Sequence, residues 1–184
     1  VAAALQSHPQ LFGSASSTLA LFLMAELRRA DSWYEPFLSC LPRSGGGVGK
    51  EEAEVSTVMW GASQLDQLQA SPVKPMTQHL HTQLRAEFAR AFPALCGPLP
   101  SLCGAGGRPP PEREYLWARL LVESRAIALS GGGGGNSTGK AELALVPFVD
   151  QLNHAPGAYV SWSLSSSRLR FFSKSEVGQH DQLF

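Results

Sequence analysis

The 184-residue chain reads as an α+β protein, a helical region followed by a smaller β-rich one. Three observations carry this reading. Apolar residues recur at three- and four-residue intervals through the first two thirds. After the five consecutive glycines at 131–135 they fall instead on alternate residues. Two Gly-rich tracts, 45–49 and 131–135, punctuate the periodic segments and read as surface loop insertions, because glycine loses the most backbone freedom on ordering and packs nothing.

Ser16, Ser17 and Thr18 can cap a first helix whose Leu19, Phe22, Leu23 and Leu27 recur at helical spacing. A second helix is expected over about 76–91, with Leu80, Leu84 and Phe88 four residues apart, Phe92 following and Pro93 ending it. Residues 96–111 mix glycines with three successive prolines and break any helix. A third helix is expected over about 111–129, placing Leu116, Leu120 and Ile127 on one side and Trp117, Leu121 and Ser124 beside them. Residues 143–149 are a short continuous apolar run, the pattern of a buried strand, in which Pro147 interrupts ladder pairing. Val160, Trp162 and Leu164, a turn at 165–167, then Leu169 and Phe171 make a hairpin. The aromatic segment with Trp33, Tyr34, Pro36, Phe37, Leu38, Leu41 and Pro42 is read as core packing.

Composition excludes several function classes. Lys plus Arg equals Asp plus Glu at 15 each, and no basic stripe gathers, so the long-range field that draws in nucleic acid is missing. Residues 19–27 fall far short of the roughly 20 needed to cross a bilayer, and they lie too deep in the chain for a signal peptide, so no membrane association is expected. Cys40, Cys96 and Cys103 are odd in number and lack paired short spacing, which argues for a reducing, intracellular compartment and against both a disulfide framework and a zinc cluster. The sequon at 136–138 is read as chance. Because the chain ends at Phe184 within a strand-like segment, it reads as a fragment of a longer protein.

Several motifs fail on their chemistry. Residues 134–140, GGNSTGK, match a phosphate-cradling loop up to Lys140, but Ala141 stands where a magnesium-binding hydroxyl is needed, and the loop leaves a helix instead of a strand. His79 and His81, two apart on a helix, point in different directions and are expected on a solvated face, leaving no metal site. No Gly-x-Ser-x-Gly elbow exposes a serine nucleophile. The polar group Asp150, Asn153 and His154 closing the apolar run is different. By itself it could be a self-satisfied turn with a core histidine.

Together with the segment WARLLVESR at 117–125, the segment LALVPFVDQLNH at 143–154 resembles the cofactor-binding half of SET-domain protein methyltransferases of the Rubisco large-subunit lysine methyltransferase class. DSWYEPFLSCLP at 31–42 is similar to the signature that follows that class's first helix. Met59, Trp60, Leu65, Leu68 and the triplet Ser71, Pro72 and Val73 are similar to its next landmark. The resemblance covers about residues 16–184 and implies a helical insert over about 14–115 followed by the C-terminal half of a SET core over about 116–184. It implies that S-adenosylmethionine is held by Asn153 and His154, with Asp150, Gln151 and Leu152 lining the same turn and Arg125 meeting the cofactor's carboxylate. A planar guanidinium fork suits that task.

The implied reaction is methyl transfer to a protein lysine, with histidine an alternative because the class includes an actin-histidine methyltransferase. A catalytically inert protein-binding module is a further alternative. Trp162 and Phe171 are candidate walls of the substrate channel. Ile127 replaces the class's Phe after Ser-Arg-x, and the class's Gly-rich cofactor segment and catalytic tyrosine are expected before Val1 and beyond Phe184, so this stretch alone is expected to be inactive. The implied partner is a protein substrate. Oligomeric state is not implied, and plastid, cytosol and nucleus are all compatible.

Overall fold

Contacts divide the chain into two compact units, Val1–Ser124 and Arg125–Phe184. The computed structural model describes residues 14–42, 56–129, 142–152, 160–165, 168–174 and 176–179. The protein is α+β, with its long helices in the first unit and all four described strands in the second.

In the first unit, helix α1 (Ala15–Glu26) begins at Ser14, whose hydroxyl accepts from the Ser17 amide at 3.1 Å. The cap thus lies two residues before the hydroxyl run expected to supply it. Ser16 and Ser17 are buried instead. The buried face is also rotated: Ala20, Leu21, Leu23 and Met24 are at most 2% exposed, while Leu27 is 37% exposed. The helix is apolar nearly all round, so spacing alone could not select its inner face. Glu26, buried at its end, accepts from Ser32 Oγ at 2.7 Å and pairs with Arg29 at 3.2 Å, which satisfies a carboxylate that burial would otherwise penalise.

Short α2 (Glu35–Leu38) has Pro36 in its first turn, where the missing N–H costs nothing. Leu38 and Leu41 are buried, as expected of the aromatic segment, but Trp33 and Tyr34 are not part of the core. Trp33 is 85% exposed, and it stacks edge-on against Tyr34. Residues 57–59 form a 3-10 turn, followed by α3 (Ala62–Asp66).

Helix α4 (Val73–Leu95) is longer than its periodicity implied and runs through Pro93. The proline sits in the last turn, where it removes one backbone bond but leaves the Cys96 amide bonded to Phe92 O at 3.1 Å. Leu84, Ala91, Phe92 and Leu95 are its buried rungs. His79 is exposed and His81 half-buried.

Helix α5 (Glu112–Arg125) buries Tyr115, Leu116, Trp117, Leu120 and Leu121. Phe92 and Tyr115 meet edge-to-face with centroids 5.4 Å apart, joining α4 to α5, and Val58, Leu84, Leu116 and Leu120 form a second apolar cluster. Trp117 Nε1 donates to Pro42 O at 2.8 Å, which ties α5 to the end of the aromatic segment. The third helix therefore ends four residues early: 127–129 are strand, because β1 (Ile127–Leu129) pairs with β2 (Glu142–Ala144).

Cys96 and Cys103 are disulfide-bonded, with Cα atoms 5.6 Å apart. This corrects the expectation against a disulfide framework, which rested on an odd cysteine count with no paired short spacing; Cys40 is the one left over, free and exposed. Just beyond, the 104–108 loop closes with a Gly104–Arg108 bridge, and its Gly106 and Gly107 have φ of 74° and 72°, the region that disfavours a side chain.

In the second unit, β1 and β2 form one antiparallel pair, and β3 (Val160–Ser165) with β4 (Arg168–Ser173) forms another. The strand expected over 143–149 is shorter than its apolar run. Pairing stops at Ala144, and residues 147–148 turn the chain into a 3-10 segment, Val149–Gln151. The hairpin follows the alternation: Val160, Trp162 and Leu164 stand opposite Ser173, Phe171 and Leu169 on one face, and Ser161, Ser163 and Ser165 stand opposite Phe172, Arg170 and Arg168 on the other. Ser165 belongs to β3; the rest of the expected turn lies outside the described residues, as do the GGNSTGK loop and the sequon.

Among the described residues, no helix is long and apolar enough to cross a membrane, and no cluster of His, Cys, Asp or Glu could hold a metal ion.

Candidate functional site

Arg125 closes α5, where a cation complements the unsatisfied carbonyls of a helix C-terminus. Its Nη1 donates to Asp150 Oδ2 at 3.1 Å and to Asp150 O at 3.3 Å. Asp150 is placed for this by the 3-10 segment. Its amide donates to Val146 O, and the amides of Gln151 and Leu152 donate to Phe148 O and Val149 O.

The two partners are unequally exposed. The Asp150 side chain is 1% exposed and that of Arg125 is 27%. Such a buried carboxylate needs a cation and further donors, and Arg125 supplies only one nitrogen. Asp150 Oδ1 is buried and accepts no hydrogen bond among the described residues. Arg125 makes no bond to a described residue other than Asp150, so its remaining guanidinium donors are uncommitted there. The site thus presents an anchored, partly exposed cation held by a buried carboxylate.

The backbone just before Asp150 is strained. Phe148 has φ 70° and ψ −38° and is 84% exposed, whereas its place in the apolar run implied a buried strand residue. A bulky residue at positive φ costs on the order of 1–3 kcal/mol and persists only where its surroundings impose it.

Of the residues singled out from sequence, the structure brings Arg125 and Asp150 into contact, with Gln151 exposed and Leu152 half-buried in the same turn. Asn153 and His154 lie outside the described residues. Trp162 and Phe171 stand opposite each other on the hairpin, Trp162 36% exposed and Phe171 half-buried. The Arg125–Asp150 pair and the Phe148 conformation were not foreseen. No local pattern announces an ion pair between residues 25 positions apart; Pro147 was the available sign that the strand could not continue.

No protein-family model matches the chain. Over 181 residues it is 26% identical to the chloroplastic ribulose-1,5-bisphosphate carboxylase/oxygenase large subunit N-methyltransferase of Nicotiana tabacum, a match covering 91% of this chain and 32% of that protein. The SET domain of LSMT, solved with lysine and AdoHcy, superposes with a TM-score of 0.65 at 20% identity, covering 90% of this chain and 35% of that one. The same SET domain solved with MeLysine and AdoHcy gives 0.57 at 21% identity, covering 80% and 31%. The chain therefore has a SET-domain fold similar to that of LSMT, and it spans about a third of the length of the relatives it matches.

Proposed function

We propose that this chain is part of an S-adenosylmethionine-dependent protein methyltransferase that acts on a lysine side chain, with residues about 14–115 as its helical insert and about 116–184 as the C-terminal half of its SET core. The Arg125–Asp150 pair carries the reading. A half-exposed guanidinium, held by a buried carboxylate and with donors to spare, is the group that a zwitterionic amino-acid moiety requires for its carboxylate. In this reading Arg125 grips that carboxylate while Asp150 fixes the guanidinium's orientation. Gln151 and Leu152 belong to the same turn as Asp150, and the resemblance assigns Asn153 and His154 to the cofactor as well.

S-adenosylmethionine supplies an electrophilic methyl group when bound. The residues around it contribute by alignment, which can account for several kcal/mol of a displacement barrier. A lysine acceptor must also be neutral to attack, and an apolar aromatic surface such as Trp162 and Phe171 disfavours its charged form.

Calorimetry with S-adenosylhomocysteine tests the reading. Binding heat from the protein, lost in Arg125→Ala with the helical signal at 222 nm unchanged, is the expected result. No heat from the wild-type protein, or undiminished heat from the variant, would refute it.

A further inference from the structure

We propose that Cys96 and Cys103 form a reversible dithiol–disulfide pair through which a small or protein dithiol sets the rigidity of the loop at the end of α4. The bond spans a sequence separation of only 7, so it ties no distant elements together. What it constrains is local: the Cys96 end of α4 and the 3-10 turn Pro100–Leu102, which packs against α1.

Two features make the bond exchangeable without loss of the fold. Both cysteines are half-buried, each preceded by a fully buried leucine and followed by an exposed glycine, Gly97 after one and Gly104 after the other, so an attacking thiolate can reach them from that side. The loop is also held independently of the bond. Leu95 and Leu102 are fully buried, Leu99 is 6% exposed, and the Leu99 amide donates to Leu95 O at 2.8 Å. Removing the crosslink therefore leaves the loop docked but free to open more often. For an eight-residue ring, the loss of chain-entropy restraint corresponds to roughly 50-fold more frequent opening.

The chemistry balances as thiol–disulfide exchange. A dithiol's thiolate attacks one cysteine sulfur, the Cys96–Cys103 bond breaks, and the departing thiolate takes a proton. The dithiol's second thiol then displaces the mixed disulfide, so two electrons and two protons pass to the protein and the dithiol becomes a disulfide. An oxidised dithiol runs the same steps backwards.

Thiol counting and amide exchange on the protein, before and after dithiothreitol, test the proposal without any cofactor. Prepared without reductant, the protein should titrate one thiol, Cys40, and three after reduction. Reduction should speed exchange at the Leu99, Leu102 and Cys103 amides by about one to two orders of magnitude, leave α1 and α5 protected, and be reversed by oxidised dithiothreitol. Cys103→Ala should reproduce the reduced pattern with no dithiol present. Three titratable thiols at the outset, unchanged exchange on reduction, or loss of the helical signal on reduction or in Cys103→Ala would each overturn it; the last would make the bond purely structural.

Discussion

Replacing Glu87 by Gln probes the polar cluster inside the helical unit. Glu87 on α4 accepts a short hydrogen bond from Ser17 Oγ on α1, and its Oε2 lies 3.6 Å from Arg119 Nε on α5. Arg119 also pairs with Glu123 at 2.9 Å, but Glu123 is 53% exposed whereas the Arg119 side chain is 10% exposed and Glu87 17%. Arg119 Nε itself is buried and makes no hydrogen bond among the described residues, so the Glu87 charge is its main compensation there. At 3.6 Å and an effective dielectric of about 20 the attraction is roughly 4–5 kcal/mol. Glu123 and residual solvent recover part of this when Glu87 is neutralised, and Gln keeps the acceptor for Ser17. Glu87→Gln should therefore cost about 2 kcal/mol and lower the melting temperature of the helical signal by about 6 °C.

A double-mutant cycle with Arg119→Met isolates the pair. Thermal unfolding followed at 222 nm should show the double variant more stable than the sum of the singles by about 1–2 kcal/mol. A single-variant shift within 1 °C, or a cycle additive to within about 0.5 kcal/mol, would refute the reasoning.

Burial holds the Tyr115 hydroxyl well above its ordinary pKa, and the nearby Glu87 charge adds to this while Arg119 opposes it. The folded state thus binds that proton more tightly than the unfolded one. The associated stability is complete below about pH 10 and is lost as pH rises beyond it, by at most about 1.4 kcal/mol per pH unit. Urea titrations at pH 9 and 11 should show a steeper alkaline loss in the wild type than in Tyr115→Phe; parallel losses would contradict it. Phe148→Gly should relieve the positive-φ strain while sacrificing little packing, stabilising the 3-10 segment by about 0.5–1 kcal/mol. Slower exchange of the Gln151 and Leu152 amides would show this, and faster exchange would refute it. Asp150→Asn leaves Arg125 without its anchoring charge, so S-adenosylhomocysteine should bind about tenfold more weakly by calorimetry, the effect expected for loss of one charge-assisted contact. Equal affinity would remove Asp150 from the site.

What could be read along the chain was what depends on near neighbours. Four-residue spacing of Leu80, Leu84 and Phe88 required a helix, and alternation through Trp162, Leu164, Leu169 and Phe171 set which hairpin residues share a face. The change of period after 131–135 was enough for the α+β class. The resemblance of residues 117–125 and 143–154 to SET methyltransferases also marked the two segments that Arg125 and Asp150 join.

Only the tertiary structure decided which face of α1 turns inward, because a helix apolar nearly all round looks much the same from every side until Glu87 and the 100–102 turn choose its orientation. It alone paired Cys96 with Cys103, and it alone stopped α5 at Arg125, since β2 offers residues 127–129 a ladder that no local spacing reveals. Contact between Arg125 and Asp150 likewise arises where two segments 25 residues apart are brought together, and burial of one partner makes the other's charge necessary. Spacing patterns reach about one helical turn or one strand pair; compensation of a buried charge is settled by whatever folding places beside it.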